Sequence, residues 1–165
     1  MFYEKYRDQI ESTLAKYPAD QKRSAVMPLL YLAQSEYGYV TKEAMEEVAA
    51  ILEIEPTQVA SVAGFYSLYY DHQAGQHRIQ VCTDLPCALR GADKFADDLC
   101  AKFGVKLGET TKDGMFTIEG VMCLAACDKA PMFQVQNKDG IFYHENQTVE
   151  SAAAVMEGLK AKSGR

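Results

Sequence analysis

The sequence predicts a two-part chain of mixed class (α+β / α/β). A helical bundle occupies residues 1–70, and a second domain over residues 77–165 runs β-α-β-β-β-α. Three observations predict this. Apolar residues recur every three or four positions through the first part. A polar stretch with a glycine, residues 71–76, interrupts the pattern and reads as a linker. Alternation of period two then appears, interleaved with two more helical patterns.

In the first part, Tyr3, Tyr6, Ile10, Leu14 and Tyr17 form one helical face. Asp20 is positioned to cap a second helix that reaches Tyr37, with a late start or a kink at Pro28 and termination at Gly38. Thr41 can cap a third helix that buries Met45, Val48, Ala49 and Leu52. Pro56 suits a first helical position, and Val59, Val62 and Tyr66 continue the buried face. The run Phe65 to Tyr70 holds four aromatics in six residues. It reads either as packing between helices or as a partner-binding surface.

In the second part, His77 to Cys82 alternates as a strand with Ile79 and Val81 on one side. A helix runs from Pro86 through Leu89, Ala92, Phe95, Leu99 and Phe103 to Gly104. Asp113-Gly114 is a turn before a strand over residues 115–121. Residues 132–136 and 141–144 flank Asn137-Lys138-Asp139-Gly140 as a hairpin. Thr148 caps a last helix with Val149, Ala152, Ala153, Met156 and Leu159 inward. A parallel pair joined by a helix, then a hairpin and a closing helix, resembles the thioredoxin-like folds.

Composition narrows the functional classes. The chain has 165 residues, 48% hydrophobic and 24% charged, with net charge −6. That balance argues against a nucleic-acid partner. The basic set Lys160, Lys162 and Arg165 reads as a solvated helix end. The start is too polar for a secretory signal, and the longest strongly apolar run, Ala25 to Ala33, falls well short of the roughly 20 residues a membrane span needs. The expected location is cytoplasmic, or peripheral on the cytoplasmic face of a membrane. There, paired cysteines point to metal or redox chemistry rather than to structural disulfides.

Four of the five cysteines form two close pairs, Cys82 with Cys87 and Cys123 with Cys127. Both pairs follow predicted strands, where open α/β sheets gather ligands. Two thiolates close in sequence can turn to one point, so two pairs can hold zinc or a 2Fe-2S cluster. Spacing leaves the two equally open. Ala125 and Ala126 are small enough to let backbone N–H groups approach sulfur. The helix after Pro86 is expected to offer free N–H groups at its start. A thiol–disulfide exchanger is a third reading, but no C-x-x-C is present. Cys100 reads as a buried small hydrophobe. His72 and His77 are expected to be exposed, and His144 lacks a ligand-spaced partner. The charges of Asp84, Glu119 and Asp128 read as turn chemistry and solubility, or as a means of lowering a cluster's potential. The methionines read as core.

The order Cys82-(x4)-Cys87-(x35)-Cys123-(x3)-Cys127 resembles the signature of the E-subunit family of NADH-quinone oxidoreductase (respiratory complex I), thioredoxin-like 2Fe-2S ferredoxins. Val81-Cys82-Thr83, Leu89-Arg90-Gly91-Ala92, residues 108–114 and Cys127 to Pro131 are similar to that family. So are Pro28 to Gln34, Tyr37-Gly38-Tyr39 and Val62 to Tyr66 in the helical part. Two positions depart from it: the family usually has Gly where Ala125 stands and Thr where Gly64 stands.

The resemblance implies one 2Fe-2S cluster on Cys82, Cys87, Cys123 and Cys127, and single-electron exchange with the flavin of a neighbouring NADH-binding subunit. FMN and NADH belong to that partner, since the chain has no dinucleotide fingerprint or P-loop. The chain is then an oxidoreductase subunit that is not catalytic alone, docked through residues 1–70 among further subunits. Related subunits serve NAD-linked hydrogenases and formate dehydrogenases. A zinc-binding adaptor remains the alternative of another class.

Overall fold

The computed structural model describes residues 2–163, the side chain of Ser163 excepted, so Arg165 of the predicted basic end lies outside the described residues. The chain divides into two compact units after Gln73.

The first unit contains α1 (Phe2–Leu14), a 3-10 turn (Ala19–Ala25), α2 (Val26–Tyr37), α3 (Lys42–Leu52) and α4 (Pro56–Phe65). Phe2, Ile10, Leu29, Leu30, Val48 and Val59 form its fully buried centre. Asp20 does not cap α2. It lies in the 3-10 turn, and α2 starts at Val26. The late start places Pro28 in the first turn, where a helix leaves its N–H groups unpaired, so the missing proline donor costs nothing. Gly38 ends α2 at φ 78, and the Thr41 hydroxyl accepts from the Ala44 N–H at 3.1 Å to start α3. Pro56 opens α4, with the Gln58 side chain accepting from the Glu55 N–H.

The aromatic run divides between the two readings of it. Tyr69 is buried, its hydroxyl donating to the Met27 carbonyl at 3.0 Å. Phe65 is 80% exposed, and Tyr66, expected on the buried face, is exposed too. The Gln34 side chain holds the intervening loop, donating to the Leu68 carbonyl and accepting from the Tyr70 N–H.

The second unit is a four-stranded sheet of β1 (His77–Cys82), β2 (Phe116–Val121), β3 (Phe133–Asn137) and β4 (Gly140–His144), in the order β2-β1-β3-β4. Strands β1 and β2 are parallel, and β3 is antiparallel to both β1 and β4. Helices α5 (Leu85–Ala88), α6 (Ala92–Phe103) and α7 (Val149–Ser163) complete it. Ile79, Val81, Phe116, Ile118, Phe133 and Val135 pack with Leu99, Cys100 and Met156 into its core.

Two local expectations are corrected here. The helix from Pro86 to Phe103 is two helices, because Gly91 at φ 88 turns the chain between α5 and α6. That left-handed geometry is open to glycine and ends helical propagation. His77 is buried rather than exposed, because it opens the central strand, stacks on Phe116 and meets the Asn137 side chain at 3.1 Å. The whole of β1 is buried, so its polar residues pair with side chains of the neighbouring strands: Arg78 with Glu119 of β2, and Gln80 with Glu119 and with Gln134 of β3. A buried polar group without such a partner would be costly.

Candidate metal centre

The cysteine pairs lie at the end of β1 and beyond the end of β2. Cys82 is the last residue of β1, and its N–H bonds to the Met132 carbonyl. Asp84 then caps α5, its carboxylate accepting from the Leu85 N–H at 3.0 Å. The helix places Cys87 one turn on. The expected free N–H groups are not there: those of Cys87 and Ala88 bond to the Asp84 carbonyl, and Pro86 has none. On the other side, β2 gives way to a loop carrying Cys123, and Cys127 opens a short 3-10 turn over Cys127–Lys129. The two loops are tied together where they leave the sheet. Both the backbone N–H and the hydroxyl of Thr83 donate to the Val121 carbonyl.

Cys82 and Cys87 are each 1% exposed and join Ala92, Ala130 and Met132 in a small buried cluster. Cys123 is exposed and Cys127 half-buried. Burial pushes the Cys87 thiol up to about 12, helped by its hydrogen bond to Cys82 and by the charges of Cys82, Cys127 and Cys123. The hydrogen bond to Cys123 leads the causes that raise the Cys127 thiol, followed by burial. The four sulfurs therefore share one electrostatic neighbourhood. Metal binding there requires thiolates and so releases protons.

The sulfurs of Cys123 and Cys127 are 3.5 Å apart. Two thiolates on one tetrahedral ion, each about 2.3 Å away, lie about 3.8 Å apart. The spacing therefore suits a clasp on one ion, and Cys82 and Cys87 lie close enough for each to act on the other's thiol. Two pairs of sulfurs match a group with two metal ions that takes two thiolates on each.

Among the described residues, the Ala125 N–H bonds to Cys123 Sγ at 3.3 Å. Ala125 sits at φ 61, the geometry for which glycine is suited. Tyr143 was not foreseen. Its hydroxyl donates to the Leu124 carbonyl inside the same loop at 3.1 Å. Its sequence signal is only a tyrosine on a predicted hairpin, and the contact depends on where β4 ends up.

The remaining candidates take structural roles. Cys100 is buried in the core, and His144 stacks on Phe133. His72 is exposed beside Asp71. Glu119 pairs with Arg78, Asp128 with Lys129, and Lys160 with Asp113. Met122, expected in the core, is 75% exposed beside Cys123 because the loop after β2 leaves the sheet there. Leu85 and Leu89, at 67% and 80%, are exposed close in sequence to Cys87.

The sequence model of the thioredoxin-like [2Fe-2S] ferredoxin family matches residues 10–160. NADH-quinone oxidoreductase subunit 2 of Thermus thermophilus is 39% identical over 160 residues, 97% of this chain and 87% of that protein. The E 2 subunit of NADH-quinone oxidoreductase from Rhizobium meliloti is 39% identical over 94% of this chain and 89% of its own length. The mitochondrial NADH dehydrogenase [ubiquinone] flavoprotein 2 of Dictyostelium discoideum is 38% identical over 92% of this chain and 60% of that protein. Among solved structures, an H2-reduced NAD+-reducing [NiFe]-hydrogenase superposes with a TM-score of 0.69 at 19% identity, over 82% of this chain. This chain spans only 22% of that hydrogenase chain, so the likeness bears on the fold alone. The matched family spans both units and all four paired cysteines, and the chain belongs to the thioredoxin-like [2Fe-2S] ferredoxin family.

Proposed function

We propose that this chain is the electron-transfer subunit of an NADH:quinone oxidoreductase and carries one [2Fe-2S] cluster. The observation that carries the reading is the double clasp: two cysteine pairs in one neighbourhood, one buried and one opening to the surface with its sulfurs 3.5 Å apart. Cys82 and Cys87 would hold one iron, and Cys123 and Cys127 the other. When bound, the group takes up and gives back single electrons without moving other atoms. The chain's own residues supply the rest. The end of β1 and the capped α5 keep water from the inner pair, and the loop after β2 presents the outer pair to a partner.

The partner in this reading is a flavin-bearing, NADH-binding subunit, with further subunits beyond it. Exposed apolar side chains in each unit, taken separately, support docking. Leu85, Leu89 and Met122 leave apolar surface exposed near the cysteines, and Phe65 does so in the helical unit. Residues 1–70 would then serve docking, residues 71–76 linking, and residues 77–165 cluster binding. Among the described residues no helix is long and apolar enough to cross a membrane. Attachment to the cytoplasmic face of a membrane would therefore come through the complex. A diaphorase subunit of an NAD-linked hydrogenase or formate dehydrogenase is the second reading; the fold shared with an NAD+-reducing [NiFe]-hydrogenase is compatible with the former.

The test is reduction by NADH. With the flavin-bearing subunit present, NADH should produce the paramagnetic signal of a reduced cluster in this chain. Without that subunit it should not. Reduction by NADH of the isolated chain would contradict the division of labour. A chain truncated before Asp71 that still co-purified fully with the partner would contradict the docking role.

A further inference from the structure

The Leu124–Ala125 peptide is held from both sides. Its carbonyl accepts from the Tyr143 hydroxyl at 3.1 Å, and its N–H donates to Cys123 Sγ at 3.3 Å. In a trans peptide the C=O and N–H point in opposite directions, so fixing one aims the other. Ala125 works against this orientation. Its φ of 61 is a conformation that residues with a side chain adopt rarely. Rotating the peptide by half a turn would carry that φ into the extended region open to any residue. The same rotation would turn the carbonyl oxygen toward the sulfur.

We propose that Tyr143 is a positioning residue for the iron–sulfur group. Its hydroxyl keeps the Leu124–Ala125 peptide turned with its N–H toward Cys123 Sγ, and so raises the group's reduction potential. The proposal rests on the reading of the four paired cysteines as ligands. One-electron reduction adds one negative charge to the group. An N–H dipole aimed at a ligand sulfur favours that added charge, and a carbonyl oxygen in its place opposes it. Tyr143 can do this because of where its strand lies. Strand β4 is an edge strand, with Tyr143 opposite Gln134, and the residue is half exposed with its hydroxyl within reach of the loop.

The test uses the full chain purified without oxygen, unaltered and as Tyr143→Phe, Ala125→Gly and the double variant. Iron, acid-labile sulfide and the visible spectrum come first. An unaltered chain without an iron–sulfur group removes the ligand reading, and this proposal with it. With the group present, a redox titration followed by EPR decides. Tyr143→Phe should have the more negative midpoint, so that the reduced-to-oxidised ratio at the unaltered chain's midpoint falls several-fold. A tenfold fall corresponds to about 59 mV for one electron. The shift should shrink in the Ala125→Gly background, because glycine holds the positive φ without help. Equal midpoints for Tyr143→Phe and the unaltered chain overturn the proposal, even if the variant melts lower, since a purely structural tether leaves the potential alone. Should Tyr143→Phe fail to retain the group, the double variant decides: regained loading supports the proposal, and continued failure overturns it.

Discussion

Cys82 and Cys87 sit on a strand end and a capped helix and are each 1% exposed, whereas Cys123 and Cys127 ride a loop, with Cys123 open to solvent. The inner pair is positioned by regular hydrogen bonding that exists for the fold's own sake. The outer pair depends on a positive-φ alanine, one N–H···S contact and a tyrosine tether. The contrast teaches that one half of the site is part of the core and the other half is an adjustable lip.

The largest expected effects test whether both halves are needed. Replacing Cys82, Cys87, Cys123 or Cys127 by Ala should abolish or badly impair cluster loading, measured as iron per chain and visible absorbance. An open corner admits water to the group. Cys100→Ala, in the core, should load normally. Full loading of Cys123→Ala would break the symmetry of roles between the pairs.

Alkylation of the cluster-free chain should separate the pairs next. The thiolate is the reacting form, and burial holds Cys87 as a thiol to about 12. Cys123 should be labelled at least about tenfold faster than Cys87 at neutral pH, read by mass spectrometry of peptides. Equal rates would mean that the inner pair opens as readily as the outer.

The raised Cys87 thiol also gives the cluster-free chain a pH dependence. An unfolded cysteine loses its proton near 9, and the folded one keeps it to about 12. The folded state therefore binds more protons across that window, and stability falls as pH rises through it. Denaturant melts between pH 8 and 11 should show the loss. Cys87→Ser should lose less over the same range.

The smallest effects come from the two departures from family pattern. Ala125→Gly should stabilise the lip by about 1 kcal/mol, because glycine pays no steric penalty at positive φ. In α4, nothing lies within 4 Å of a Cβ built on Gly64. Gly64→Ala should therefore add about 0.5–1 kcal/mol through helix propensity. Thermal melts of the two variants check both. A loss on Ala125→Gly would mean that the loop does not depend on that backbone geometry.

Much of this was legible in the chain. The helical part, the strand order, the caps at Thr41 and Thr148 and the cysteine spacing are local patterns, and the described elements follow them. The glycine usual in the family at the position of Ala125 agrees with the positive φ there. What could not be read depends on neighbours distant in sequence. The burial of His77 follows from a central position between β2 and β3. Exposure of Met122 follows from the loop's departure from the sheet. Gly91 as a breaker between α5 and α6 was visible as a residue but not as a conformation, since glycine is also tolerated within a helix. The Tyr143 tether needed the register of β4 and the course of a loop 19 residues away.

The most direct measurement is the metal content and spectrum of the chain purified without oxygen. The double clasp predicts two irons and two acid-labile sulfides per chain, visible absorbance, and an EPR signal that appears on one-electron reduction. A colourless protein with one zinc per chain and no such signal would contradict it.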